Sequence, residues 1–145
     1  MSLIDLSAPL TLELPSDPAV LFLVRGVVDR LAERLGFERQ ETERLVLAVD
    51  EACTNVIRHA YQGRVTERLI VMFVVKRETF EVRIRDFGEP KDPGTFQPRD
   101  LSEIRPGGLG MHLIRCAVDE ALYEHPADGG TLLRLIKHRR RSGGD

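Results

Sequence analysis

The sequence predicts an α+β fold: a two-layer sandwich in which a mixed, mostly antiparallel sheet is covered on one face by about three helices. Two observations support this prediction. The elements follow one another as strand, helix, helix, strand, strand, proline-rich segment, helix, strand, strand. Short turns also join consecutive strands, which pairs them antiparallel and leaves the helices to gather on one face of the sheet.

Length, charge and cysteine content narrow the class of protein. The 145 residues, 42% of them apolar, fit one domain over residues 1–145 with a core at about residues 10–138. A net charge of −2 argues against direct nucleic-acid binding. No run approaches the roughly 18 apolar residues of a membrane-spanning helix, and no signal peptide is recognisable, so we expect a soluble, cytoplasmic protein without membrane contact. Cys53 and Cys116 lie in apolar helical patterns and are expected to be reduced core thiols.

The first part of the chain predicts one strand and two helices. Residues 10–14 alternate between apolar and polar side chains, as a strand does. Asp17 and Pro18 suit the cap and first position of a helix that ends at Gly36. A second helix is expected over about residues 39–60, since its apolar residues recur at helical spacing.

The middle of the chain predicts a β-hairpin. Residues 68–76 are almost continuously apolar, which indicates a strand buried on both faces. Residues 79–86 alternate cleanly, with the apolar side chains on one face. The short connection Arg77–Glu78 favours a tight turn between the two strands.

A proline-rich segment separates this hairpin from the last elements. Residues 87–106 hold four of the eight prolines, which is typical of a functional lid or a disordered loop. A glycine-rich start leads into a helix over residues 107–118. Two closing strands, separated by a glycine pair, are expected at residues 119–125 and 130–138.

The second helix carries the first candidate functional residues. Glu51, Asn55 and His59 follow one another at i, i+4 and i+8 and border the apolar face. A carboxylate and an amide one turn apart can offer oxygens to a hard cation or to a water molecule. The alternative is an ordinary solvated edge of an amphipathic helix.

Asp86 is a second candidate, because strand periodicity places its carboxylate on the core-facing side. A buried carboxylate must be hydrogen-bonded, and a ligand amine such as that of adenine would serve. Gly88 lets a ligand or the backbone approach closely. Thr131 shares the inward parity of its own strand. The alternatives are a turn-forming aspartate and an ordinary strand threonine.

Gly108, Leu109 and Gly110 precede the third apolar helix. Glycines permit tight backbone geometry, and the N–H groups at a helix start can bind phosphate. The stretch lacks the Gly-Lys-Ser/Thr ending of a P-loop and does not match the dinucleotide-binding pattern. A flexible loop is the alternative.

In this order, the motifs resemble those of the GHKL ATPase superfamily, which has the Bergerat fold, over about residues 10–138. EACTNVIRHAY (51–61) resembles the asparagine box, DFG (86–88) the first glycine box and GGLGMHLI (107–114) the second. The His-Ala-Tyr ending and the short lid are most similar to the anti-sigma-factor serine kinases of bacterial partner-switching systems.

The resemblance implies a role for each candidate in binding or using ATP. Asn55 would coordinate Mg²⁺ at the ATP phosphates, and Glu51 would be the general base or would orient the attacking hydroxyl. Asp86 would accept the adenine amino group, with Thr131 helping through a water molecule, and Gly88 would make room for the base.

The same resemblance implies that the backbone of Gly108, Leu109 and Gly110 binds the phosphates. Arg105 is expected to reach the γ-phosphate, with Lys91 or Arg99 as alternatives. Pro90 departs from the family pattern, which often has a glycine there, so the root of the lid is expected to be stiffer.

Partners also follow from the resemblance: a small anti-anti-sigma protein of the STAS type, phosphorylated on serine, and a competing sigma factor. A homodimer is expected, and Arg25 on the first helix is expected to contact both partners; the alternative for Arg25 is a solvated arginine. Two other functions stay open. A non-catalytic, nucleotide-dependent binding module would not need a base at Glu51, and a detached histidine-kinase catalytic domain would act with a phosphoacceptor histidine that none of the four histidines fits.

Overall fold

The computed structural model describes residues 5–89, 99–100 and 109–140, and within these ranges three α-helices lie against one face of a six-stranded sheet. The strand order is β1-β2-β3-β6-β5-β4, and every neighbouring pair is antiparallel. The α+β sandwich is therefore confirmed, with no parallel pair among the described strands. The elements are β1 (Leu10–Pro15), α1 (Leu21–Arg34), α2 (Arg39–Asn55), β2 (Arg68–Val75), β3 (Thr79–Asp86), β4 (Arg99–Asp100), α3 (Leu109–Ala117), β5 (Glu120–Glu124) and β6 (Thr131–His138).

The first helical region begins and ends where the sequence predicts. The Asp17 carboxylate accepts a hydrogen bond from the Ala19 amide at 2.9 Å, and Pro18 opens a short 3₁₀ turn that leads into α1. Gly36 has a φ of +86°, a left-handed conformation that glycine adopts at little cost and that commonly ends helices. Asp17 and Gly36 thus mark the start and the end of the first helical region, and α2 begins three residues after Gly36.

The second helix differs from the prediction at its C-terminal end. A reciprocal capping box between Glu38 and Glu41 starts α2. The regular helix ends at Asn55 and continues as a π-helical turn over Val56–Ala60, closed by the Tyr61 amide on the Val56 carbonyl at 3.1 Å. Because a π turn holds an extra residue, the side chains after Asn55 are rotated relative to the stripe before it.

One core joins the helices to the inward face of the sheet. Leu69, Val71 and Phe73 on β2 are fully buried, while Ile70 and Met72 on the other face are only half-buried. Val74 on that other face is nevertheless buried, at 7% exposed, so the expectation that β2 is buried on both faces holds only for part of the strand, since the helices cover only one face. The predicted hairpin turn is confirmed by the Lys76 amide, which donates to the Thr79 carbonyl at 2.9 Å.

A charged network covers the centre of the other face. The Glu81 carboxylate, only 6% exposed, accepts hydrogen bonds from Arg83 at 2.7 Å and from Arg134 at 2.6 Å. Arg134 also donates to Glu124 at 3.0 Å. Burial alone would raise the pKa of Glu81, but the bonds from Arg134 and Arg83 outweigh it and hold that pKa below its usual value.

The two cysteines differ in environment. Cys53 is buried in the core, as predicted, and burial raises the pKa of its thiol to about 12. Cys116 is exposed, so its prediction as a core thiol is wrong; it lies on the outer face of α3, 3.5 Å from the His112 Nε2 one turn earlier. Within the described residues, no helix is both long enough and apolar enough to cross a membrane.

Candidate functional site

Asp86 lies at the end of central strand β3 with its side chain towards the helices. It is only 4% exposed, so the predicted inward orientation is confirmed. Its Oδ1 accepts a hydrogen bond from the Gly88 amide at 3.0 Å, which makes it a turn-forming aspartate as well. A carboxylate can accept about four hydrogen bonds, so this one retains capacity for a ligand amine.

The environment of Asp86 raises its pKa. Burial is the largest cause, because it disfavours the charged form. Four neighbouring groups lower the pKa of Asp86 without cancelling the effect of burial. They are the amide of Gly88, the charge of Arg85, the backbone of Thr131 and the charge of His125. A buried acid with a perturbed pKa at a strand end is characteristic of a functional site.

Strand β6 brings Thr131 and Gly130 to Asp86. Thr131 is the register partner of Asp86 and is half-buried, so the structure brings these two predicted residues together. Gly130 has a φ of +73°, and a Cβ there would lie 2.0 Å from the Asp86 carbonyl oxygen. Only glycine fits, a requirement that the sequence signalled merely as a glycine pair in a turn.

Gly88 lies directly against the end of the π turn. An added Cβ would lie 2.7 Å from the Ala60 carbonyl oxygen, which is too close for any side chain. Packing within the chain therefore already requires glycine at this position. Room for a base at Gly88 stays a prediction.

Tyr61 joins the same region through its hydroxyl, a contact that no pattern in the sequence indicates. It is 1% exposed, donates to the Arg68 carbonyl at 2.5 Å and accepts from the Phe87 amide at 2.7 Å. The only available signal was its place at the end of the asparagine-box motif. Helix α2, strand β2 and the segment after β3 thus meet at one oxygen atom.

Tyr123 and His125, on and just after β5, also lie near Asp86. Burial raises the pKa of Tyr123, and the charge of Asp86 adds to that effect. His125 in turn acts on Asp86. Neither residue belongs to a motif. Their proximity to Asp86 depends on the β5–β6 pairing, in which Tyr123 is opposite Leu133, so the sequence alone does not indicate it.

Glu51 and Asn55 lie one turn apart at the end of α2, and both are half-buried. Among the described residues, neither the Glu51 carboxylate nor the Asn55 amide has a hydrogen-bond or ion-pair partner. His59, the third residue of the predicted stripe, lies in the π turn and is exposed. Within the described ranges, a carboxylate and an amide without partners therefore lie where the sequence predicts them.

Several predicted residues cannot be placed in the same way. Arg105 and Gly108, with Pro90 and Lys91, lie outside the described residues. Leu109 and Gly110 form the first turn of α3, and Arg99 begins β4. Their contacts with phosphate stay predictions.

Arg25 lies on α1, is half-buried and directs its guanidinium towards α2. Its Nη1 donates to the Asp50 carboxylate on α2 at 2.7 Å, and 43% of its side chain is exposed. Large apolar side chains are also exposed on these helices, with Phe22 at 57% and Leu47 at 53%. An arginine beside exposed apolar groups is the composition of many interface centres.

The sandwich, the buried acid at the end of β3 and the glutamate–asparagine pair on α2 define a class of ATP-binding domain. Residues 14–137 match the family described as the histidine kinase-like ATPase domain, and the chain belongs to that family.

Curated relatives cover most of the chain. It is 29% identical over 140 residues to the serine-protein kinase RsbW of Bacillus pumilus, which covers 90% of this chain and 85% of that protein. It is 34% identical over 119 residues to the serine-protein kinase RsbW of Listeria monocytogenes, covering 77% and 76% respectively.

Solved structures share the fold. A Mycobacterium tuberculosis protein with RsbU and RsbW domains matches with a TM-score of 0.63 and 19% identity, over 92% of this chain and 33% of that one. A chain of the SiaB–SiaC complex of Pseudomonas aeruginosa matches with a TM-score of 0.68 and 15% identity, over 88% of each. At these identities the likeness concerns the fold alone.

Proposed function

We propose that this chain is an anti-sigma regulatory factor with ATP-dependent protein serine kinase activity. It phosphorylates an anti-anti-sigma protein of the STAS type and sequesters a sigma factor. The observation that carries the proposal is the Glu51 carboxylate, half-buried one turn before Asn55 and without a partner among the described residues. Relatives that align with most of the chain are named serine-protein kinases.

Asp86 and its neighbours bind the base of ATP. The Asp86 carboxylate accepts a hydrogen bond from the 6-amino group of adenine, and Thr131, its register partner, assists through a water molecule. Guanine has an oxygen acceptor at the same position, so its 6-oxygen would meet the Asp86 carboxylate, which is also an acceptor, and no hydrogen bond could form. The site therefore selects ATP over GTP.

Asn55 suits a magnesium site. Mg²⁺ prefers oxygen ligands and usually takes one or two from the protein and the rest from phosphates and water. The amide oxygen of Asn55 is uncommitted among the described residues, which fits that need. When bound, the ion would neutralise charge on the phosphates, and Asn55 would hold it at the end of α2.

Glu51 acts on the acceptor serine. Its carboxylate takes the hydroxyl proton while the serine oxygen forms a bond to the γ-phosphorus. The bond from that phosphorus to the bridging oxygen of ADP breaks, and ADP leaves. Positioning and charge stabilisation supply the rest of the acceleration, with Arg105 assigned to the γ-phosphate.

The α1–α2 surface around Arg25 receives the partners. The exposed guanidinium and its apolar neighbours suit a protein interface more than a small-molecule site. Both partners use this surface, so they compete, and the nucleotide shifts the balance between them. The functional unit is a homodimer, and it acts in the cytoplasm, where ATP and sigma factors are found.

A reconstituted phosphotransfer assay tests the proposal. The purified chain is combined with γ-labelled ATP, Mg²⁺, a candidate STAS protein and its sigma factor. Label on a serine of the STAS protein is expected, and because the phosphorylated protein no longer competes for the shared surface, the chain should then capture the sigma factor. Nucleotide-dependent binding without label transfer would support a non-catalytic module, and label on a histidine would support a histidine-kinase domain; either result would contradict the proposal.

A further inference from the structure

The hydroxyl of Tyr61 holds together three chain segments that the proposed nucleotide site uses. It is fully buried, donates to Arg68 at the start of β2 and accepts from the Phe87 amide just after β3. Tyr61 follows the π turn, which itself follows Asn55. One oxygen atom thus ties the end of the metal-binding helix to the residue between Asp86 and Gly88.

A second contact acts on the same segment. Gly88 approaches the Ala60 carbonyl so closely that a Cβ would lie 2.7 Å from it. Residues 60 and 61 therefore hold residues 88 and 87 by packing and by a hydrogen bond. Two adjacent contacts leave little freedom for the turn in which the Gly88 amide binds the Asp86 carboxylate.

The ring of Phe87 adds a third restraint. The guanidinium of Arg85 lies 4.4 Å from the ring centroid and that of Arg68 lies 4.8 Å from it, both within cation–π distance. The two guanidinium groups thus hold the Phe87 side chain independently of Tyr61. The Tyr61 hydroxyl holds the Phe87 backbone amide, and through the backbone it restrains the neighbouring Asp86.

We propose that Tyr61 is a positioning residue of the nucleotide site, whose hydroxyl fixes the direction of the Asp86 carboxylate and thereby the discrimination between adenine and guanine. This inference rests on the proposed function, in which Asp86 accepts the adenine amino group. Discrimination of this kind depends on buried polar groups that are held where only the correct base can pair with them. If the turn between Asp86 and Gly88 shifted, the Asp86 carboxylate could change direction and would no longer distinguish the two bases.

Removal of the hydroxyl is expected to disturb Asp86 indirectly. In Tyr61→Phe the Phe87 amide and the Arg68 carbonyl lose their shared partner, and buried groups without partners are costly. The segment can relieve that cost only by moving towards other partners or water. Such a movement carries Asp86 with it, although Tyr61 itself touches no nucleotide.

Ser16 offers a matched control. Its hydroxyl is also fully buried, donates to the Arg64 carbonyl at 2.6 Å and accepts from the Glu67 amide at 3.0 Å. Ser16→Ala therefore removes a matching pair of hydrogen bonds to backbone groups, neither of which belongs to the segment after β3. Loss of stability alone should affect both variants in the same way.

The experiment measures ATP and GTP dissociation constants by calorimetry, and unfolding by denaturant, for wild type, Tyr61→Phe and Ser16→Ala. We expect the ATP-to-GTP preference to fall about three- to tenfold in Tyr61→Phe, the scale of one hydrogen bond, and to stay unchanged in Ser16→Ala. An unchanged preference in Tyr61→Phe overturns the inference. A wild type that binds neither nucleotide contradicts the proposed function instead.

If Tyr61→Phe does not fold, hydrogen exchange on the wild-type protein decides. The Phe87 amide is expected to exchange more slowly with ATP bound than with GTP bound, because only adenine pairs with a correctly held Asp86. Equal exchange rates with the two nucleotides overturn the inference.

Discussion

At the scale of single residues, Asp86 combines burial with hydrogen-bonding capacity that the chain leaves unused. Its amide partner, Gly88, and its register partner, Thr131, hold it in place. Burial of a carboxylate costs free energy, so its presence here is explained better by a ligand than by stability.

Asp86→Asn is expected to weaken ATP binding by about 1.5–3 kcal/mol, the scale of a hydrogen bond to a charged group. The wild type is expected to bind GTP poorly. Calorimetry with both nucleotides measures this, with Asp17→Asn, the same chemical change at the helix cap before α1, as the control. Equal affinity for ATP and GTP in the wild type would rule out the assigned role of Asp86.

The raised pKa of Asp86 also gives stability a pH dependence. The neutral form is favoured in the folded state, so its contribution is fully present below the ordinary pKa of 3.8 and is lost as pH rises through the raised value. The asparagine of the Asp86→Asn variant does not ionise, so the variant does not lose this stability as pH rises. Its unfolding free energy should therefore improve relative to wild type as pH rises from about 3 to 7, measured by denaturant titration at each pH. A difference that does not change with pH would contradict this explanation.

The sequence could predict Asp86 but not its surroundings. Strand periodicity alone set the inward direction of its side chain. The contacts of Tyr61 and Gly130 join segments far apart in the chain, and no local pattern encodes such distances. Tyr123 could not be predicted for the same reason, because only the pairing of β5 with β6 brings it to the site.

At the scale of elements, the end of α2 is the main departure from expectation. Helical spacing of apolar residues continues past Asn55, so the sequence predicts one regular helix to residue 60. The π turn over Val56–Ala60 keeps the helix but rotates the residues beyond Asn55, which exposes His59 and brings Tyr61 inward. Such turns are frequent at functional sites.

The outer face of the sheet provides a prediction at the same scale. Glu81→Gln is expected to lower the unfolding free energy by about 1.5–3 kcal/mol at neutral pH, because the bonds from Arg83 and Arg134 lose their charged acceptor.

The pKa of Glu81 is lowered in the folded state, so its contribution is present above the ordinary value of 4.5 and is lost as pH falls through the lowered one. The gap between wild type and Glu81→Gln should therefore close in acid. Glu13→Gln, which breaks an exposed pair with Arg68, serves as control and should change stability little. A Glu81→Gln gap that is as wide at pH 3 as at pH 7 would refute this assignment.

At the scale of the whole molecule, the proposal joins a nucleotide site to a partner surface. Arg25→Ala is expected to weaken binding of both the STAS protein and the sigma factor by about 2 kcal/mol or more, while ATP binding and folding stay intact. The ion pair with Asp50 is only partly buried, with 43% of the Arg25 side chain and 31% of the Asp50 side chain exposed, so its loss should cost little stability and the variant should fold.

Titration of each partner by calorimetry measures this effect, with Arg30→Ala as a control on an exposed arginine of the same helix. Wild-type affinity of Arg25→Ala for both partners would return Arg25 to an ordinary solvated residue.

Phosphotransfer by Glu51→Gln tests the central claim most directly. The variant and the wild type are each saturated with Mg-ATP and mixed with the STAS protein, and the rate of serine phosphorylation is measured in a single turnover. We expect Glu51→Gln to keep its ATP affinity and to lose about 10²–10⁴-fold in rate, as the loss of a general base does. Asn55→Ala, by contrast, should lose Mg-dependent ATP affinity. Transfer at the wild-type rate by Glu51→Gln would contradict the assignment of Glu51 as the base and with it the proposed kinase mechanism.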